Sequence, residues 1–82
     1  MFDKKRFVTV MDSTEGHDSE VVSMILKNCF DVKYEKQANT YKYYRLRANR
    51  KEVKTITNQL EALGFYATLL DGKHFHVYER AQ

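Results

Sequence analysis

A chain of 82 residues, 43% apolar and 30% charged, has the composition of a folded globular protein rather than a disordered one. It offers room for one domain over residues 1–82, burying roughly 60–65% of its unfolded surface, so a partner would add stability. No apolar run approaches the ~18–20 residues of a membrane span, and MFDKKRFVTV has no signal-peptide core. The lone Cys29 can form no internal disulfide, so the expectation is a cytoplasmic protein with no membrane association.

In chain order, Lys5 to Met11 sets Phe7, Thr9 and Met11 against Val8 and Val10, the alternation of a first strand. Asp12-Ser13-Thr14-Glu15-Gly16 reads as a polar loop, with Asp18 or Ser19 as cap of the helix that follows. That helix presents Val21, Val22, Ile25, Leu26, Cys29 and Phe30 on one wide apolar face, which would leave Cys29 an inert buried thiol. Val32 and Tyr34 alternate with Lys33 and Glu35 in a short second strand, and Gln37 to Thr40 turn it into a third.

The third strand and the helix after it carry the clearest pattern. From Tyr41 to Ala48, Tyr44, Leu46 and Ala48 can face a core, while Tyr41, Tyr43, Arg45 and Arg47 face the other way. Asn49 with Glu52 three residues on reads as a capping box. Val53, Ile56, Leu60 and Leu63 form one helical stripe, and Gly64 supplies a left-handed end. Phe65–Leu70 and Lys73–Glu79 flank Asp71-Gly72, a hairpin signal. A three-residue loop, Leu70-Asp71-Gly72 with Gly72 left-handed, pairs Leu69 with Lys73, Ala67 with Phe75 and Phe65 with Val77. This choice separates an apolar face from Tyr66, Thr68, His74, His76 and Tyr78.

The order strand, helix, strand, strand, helix, strand, strand predicts an α+β fold. The expected architecture is a ferredoxin-like βαββαβ sandwich with both helices on one face of an antiparallel sheet. The extra C-terminal strand is expected to close a hairpin and extend the sheet at an edge. The uncovered face would then carry Phe7, Thr9, Met11, Lys33, Glu35, Tyr41, Tyr43, Arg45, Arg47, Tyr66, Thr68, His74, His76 and Tyr78.

Charge points the same way. Eight basic residues lie between Lys33 and Lys54 against only Glu35 and Glu52, although the net charge of the whole chain is +3. Such asymmetry orients anionic partners. Aromatic planes among cations suit RNA or single-stranded DNA, with bases stacked on rings and phosphates met by arginine. They equally suit a protein interface, where Tyr, Met and Arg are usual anchors. The candidate partner-binding residues are Phe7, Tyr41, Tyr43, Arg45, Arg47, Tyr66, His74, His76 and Tyr78.

With Phe7 and Tyr41 or Tyr43 on the first and third strands, the layout resembles that of the RNA-recognition motif, which implies RNA binding by the sheet. YKYYRLRA lacks the glycines and aromatic spacing of that family's third-strand signature. The strand YKYYRLRA, a helix and LGFYATLL are also similar to the second half of peptidoglycan-binding SPOR domains, without their glycine after the strand.

Other chemistry has thinner support. His74-x-His76 puts two imidazoles on one strand face, but zinc wants three or four ligands and only His17, Cys29 or a surface acid could complete the set. Asp12, Ser13, Thr14, Glu15 and His17 cluster after the first strand, yet no nucleophile elbow, phosphate loop or Cys–His signature accompanies them. The expectation is therefore a non-enzymatic binding module with no catalytic residues, metal or cofactor. Its role would be regulatory or inhibitory, engaging nucleic acid or a nucleic-acid-handling protein. The alternative is a purely protein-binding adapter or inhibitor, of the short kind that phages and mobile elements encode, possibly a homodimer through the sheet face.

Overall fold

The computed structural model describes residues 4–71 and 73–80. The elements are β1 (Arg6–Asp12), α1 (Gly16–Cys29), β2 (Asp31–Ala38), β3 (Tyr41–Ala48), α2 (Arg50–Ala62), β4 (Phe65–Asp71) and β5 (His74–Arg80). They form an α+β fold with two helices and one five-stranded mixed sheet in the order β2-β3-β1-β5-β4.

This order departs from the ferredoxin-like expectation, and the sheet is mixed rather than antiparallel. The last strand does not extend an edge: β5 lies between β1 and β4 and runs parallel to β1. The backbone bonds Thr9 N–H to Lys73 C=O (2.8 Å) and Ser13 N–H to Val77 C=O (3.1 Å) stitch the parallel pair. A hairpin signal says that β4 and β5 are neighbours; it does not say which of them meets β1. Core demand is consistent with the choice made. Phe75 and Val77 of β5 are both buried, whereas β4 buries Phe65, leaves Ala67 partly covered and exposes Leu69. The strand with two neighbours is the one that fills the core twice.

The core is built from alternate residues of the sheet and one stripe of each helix. Val8 and Val10 of β1, Tyr44, Leu46 and Ala48 of β3, and Phe75 and Val77 of β5 meet Val22 and Leu26 of α1 and Ile56 and Leu60 of α2. Both helices thus cover the same face. The α2 stripe is as expected for Ile56 and Leu60, but Leu63 falls beyond the helix end and is exposed. Asn49 and Glu52 close the capping box, with Asn49 Oδ1 accepting from the Glu52 N–H at 2.9 Å and Glu52 Oε1 from the Asn49 N–H at 3.0 Å. Gly64 follows at φ 91°, the left-handed region open to glycine.

The start of α1 departs from expectation. Glu15 holds the N-cap position with no side-chain hydrogen bond, and neither Asp18 nor Ser19 caps. Instead Asp12, buried at the end of β1, accepts from the Thr14 N–H (2.9 Å) and the Thr14 hydroxyl, folding the loop into the helix. Burial pushes the Asp12 carboxyl above its usual range, opposed by its hydrogen bonds from Thr14. Cys29 is exposed rather than buried, its Sγ 3.4 Å from Gln59 Oε1.

Three irregularities reset registers, one in β2 and one at each end of the β4–β5 pairing. In β2, Val32 pairs with Leu46 and Tyr34 with Arg45, so Lys33 is an extra residue. Everything beyond it changes face: Tyr34 and Lys36 join the open face, and Glu35 turns to the helix side, where it meets Lys27 of α1 at 2.7 Å. The expectation that Lys33 and Glu35 sit opposite Tyr34 on the open face is corrected accordingly. In the hairpin, Ala67 pairs with Val77, Leu69 with Phe75 and Asp71 with His74, leaving Leu70 as the bulged residue. The expected apolar face survives, but Leu69 and Ala67 each pair two residues farther along β5 than expected, and Phe65, beyond another register shift, pairs with Arg80 rather than Val77. The cause is Asp71, whose carboxylate accepts from the Lys73 N–H at 2.7 Å and so starts the turn one residue later than expected. The expected left-handed Gly72 lies outside the described residues.

Candidate functional site on the open sheet face

The pairing register places all nine candidate residues on the face opposite the helices. Because paired residues share a face, they fall into rows across the strands. Arg47 lies beside Phe7; Tyr34, Arg45, Thr9 and His74 form the next row; Lys36, Tyr43, Met11, His76 and Thr68 the third; and Tyr78 lies beside Tyr66 at the β4 edge.

The two ends of this face differ. At one end the Phe7 ring, 41% exposed, sits beneath two guanidinium groups, Arg45 at 4.6 Å and Arg47 at 5.2 Å from its centroid. Arg47 also donates to the Lys5 carbonyl at 3.4 Å, and this bond steadies it over the ring. Beside this cluster an open groove of about 780 Å³ is lined by Phe7, Thr9, Tyr34, Lys36, Tyr43 and Arg45. Among the described residues, none of the ion pairs involves Arg45, Arg47 or Lys36. Two cations, Lys36 and Arg45, and the rings of Phe7, Tyr34 and Tyr43 therefore line one groove, with Arg47 beside it over Phe7 and no ion pair to any of the three cations among the described residues.

At the other end the rings pack on one another. β1 leaves the sheet after Asp12, so Tyr41 of β3 reaches across to β5. Its centroid is 5.5 Å from that of His76, which in turn is 4.0 Å from Tyr78, and Tyr43 lies 6.2 Å from Tyr41. His76 Nε2 is buried there without a hydrogen-bond partner. This cluster is a floor rather than an open slot. Tyr66 stands apart, 59% exposed at the edge of β4.

His74 and His76 share a face, as their spacing requires, but take separate partners. His74 Nδ1 lies 2.8 and 2.9 Å from the two oxygens of Asp71, whose carboxyl is held below its usual range by that contact and by the Lys73 N–H. Among the described residues no group of three or more His, Cys, Asp and Glu is arranged to hold a metal ion. The polar loop after β1 is used structurally: Asp12 and Thr14 are buried, and His17 meets Glu20 at 3.7 Å on the surface.

Sequence reasoning missed Tyr34 and Lys36 as members of this face. Their local alternation is unbroken, so nothing in DVKYEKQA marks Lys33 as the bulge. The only signal is that Glu35 and Gln37 make no worse a helix-facing set than Tyr34 and Lys36 do. No helix among the described residues is long and apolar enough to cross a membrane. Comparison of the chain with protein-family models, curated proteins and solved structures found no match.

Proposed function

We propose that the open face binds single-stranded nucleic acid in the groove beside Phe7. Bases would stack on the Phe7, Tyr34 and Tyr43 rings, while Arg45, Arg47 and Lys36 meet phosphates. The observation that carries this reading is the Phe7 ring held under two guanidinium groups that have no acidic partner among the described residues. A surface built only to be solvated would gain from pairing those cations with the chain's own acids, as Lys27 and Lys33 are paired. The module acts by occupancy, as a regulator or inhibitor of whatever else uses the strand, and the reading asks for no catalytic group or cofactor.

The test is a titration of fluorescently labelled single-stranded RNA and DNA of mixed sequence, followed by anisotropy across a salt series. Three phosphate-contacting cations predict a log–log salt slope of about −2, from roughly −0.7 for each phosphate neutralised on a single strand. Absence of binding to every single strand at low salt removes the reading and leaves a protein partner for this face. Binding that ignores salt would equally count against a groove of this construction.

A further inference from the structure

The two edges of the sheet are built differently, and the difference identifies a second docking surface. β2, at one edge, is defended in the usual ways: Asp31, Lys33, Glu35 and Lys36 charge it, and the bulge at Lys33 breaks its ladder. β4, at the other edge, has no charged residue from Phe65 to Leu70 and no proline, and its own bulge at Leu70 lies at the hairpin end, beyond the Tyr66–Leu69 stretch. Tyr66, Leu69 and Leu70 stand there 59%, 51% and 54% exposed. Its outer row of N–H and C=O groups has no strand to pair with. An unpaired backbone edge with exposed apolar side chains on it accepts another strand by β-addition.

We infer that the occupant is β4 of a second copy, joined antiparallel across a two-fold axis at Thr68 into one ten-stranded sheet. Two observations favour a second copy. The strand is self-complementary in size, since a two-fold at Thr68 sets Ala67 of each chain against Leu69 of the other, small against large, on the helix-covered side. The charged, bulged β2 edge also blocks the head-to-tail alternative, β4 on β2, which would grow without closing. The isologous pairing closes at two chains and buries the unprotected edge of each. It leaves the groove beside Phe7 uncovered in both.

Sedimentation of the full chain from micromolar to millimolar concentration tests this. The expected result is reversible association from 9.8 kDa to twice that mass. Leu69→Lys and Thr68→Glu, both at exposed positions, should each hold the chain at 9.8 kDa with an unchanged circular dichroism spectrum. Thr68→Cys in a Cys29→Ser background should form a covalent dimer on mild oxidation, because residue 68 faces its own copy on the axis. A chain that stays monomeric throughout the range overturns the inference. So does a dimer that survives both edge substitutions, or one dissolved by Tyr43→Ala instead, which would place the contact on the sheet face.

Discussion

Phe7→Ala separates stacking from charge at the proposed nucleic-acid groove. The ring supplies one base platform, worth roughly 1–3 kcal/mol by the usual cost of removing an aromatic that stacks on a base. At about 1.4 kcal/mol per tenfold, that is a loss of roughly 5- to 150-fold in Kd. The salt slope should stay near −2, since the three cations remain and each contributes about −0.7. Replacing Arg45 and Arg47 together by Gln should do the opposite, flattening the slope to about −0.7 with only Lys36 left. The fold should tolerate Phe7→Ala: the ring is 41% exposed, and the two cation–π contacts it loses are worth about 0.5–1 kcal/mol each at an exposed site. Anisotropy titrations at four or more salt concentrations, well below the melting temperature, read both quantities at once. The reasoning fails if Phe7→Ala leaves Kd unchanged, or if it flattens the slope as much as the arginine pair does.

Two substitutions and one deletion test the fold that holds the groove in place. Leu60→Ala, at a fully buried α2 position, should cost roughly 2–5 kcal/mol. Thermal denaturation should show it as a fall of at least about 8 °C, at roughly 4–8 °C per kcal/mol for a domain of this size; a fall under about 2 °C would put the stripe at the surface. Asp12→Asn should keep the acceptor for Thr14 and remove a carboxyl that burial makes costly to ionise. A raised pKa in the fold means stability is lost as pH rises from the ordinary value of 3.8 through the folded one, so the variant should gain on wild type from pH 4 to pH 7, and a constant difference in melting temperature would contradict the burial argument. Deleting Lys33 should remove the β2 bulge and leave Val32 beside Leu46 and Tyr34 beside Arg45, so nucleic-acid binding should stay near wild-type strength; a loss of binding with the fold intact by circular dichroism would show that the bulge itself shapes the groove.

What could be read from the chain before its structure divides along a physical line. The face of β3, the capping box at Asn49 and Glu52, Ile56 and Leu60 of the α2 stripe and the left-handed Gly64 depend on residues within a few positions of each other, and all were legible. So was the sorting of Phe75 and Val77 from His74, His76 and Tyr78, because period two survives a shift of two in register. What was not legible depends on contacts far apart in sequence or on single inserted residues. The Lys33 bulge has no signature in DVKYEKQA, and it moved Tyr34, Lys36 and Glu35 to unexpected sides. The place of β5 is decided by which hairpin strand brings two core residues to β1, a comparison of burial that local pattern does not contain. Cys29 belongs to the helix's apolar run by spacing, yet in the last turn of α1 it is Leu26 that reaches the core, and the Cys29 thiol is left exposed beside Gln59 of α2.

One topological move links the groove's setting to the open edge. Placing β5 beside β1 brings His76 and Tyr78 next to the end of β1, where Tyr41 can close over them as a packed aromatic floor. Had β5 gone to the outside, those rings would sit one strand farther from Tyr41 and the face would lose its rigid half. The same move sends β4 outward and strips it of its second neighbour. Residues that would have been interior, Leu69 above all, become exposed beside unpaired backbone. The chain has not offset this by placing lysine or proline along β4, as it placed charge along β2. An edge left undefended on one side and defended on the other is best understood as one that is covered in use. A two-fold pairing there would set two grooves on one continuous sheet, so a single strand long enough to span both should bind more tightly than one that reaches only one. Comparing a short oligonucleotide with one several times its length, in wild type and in Leu69→Lys, measures that gain. It should be present in the first and absent in the second.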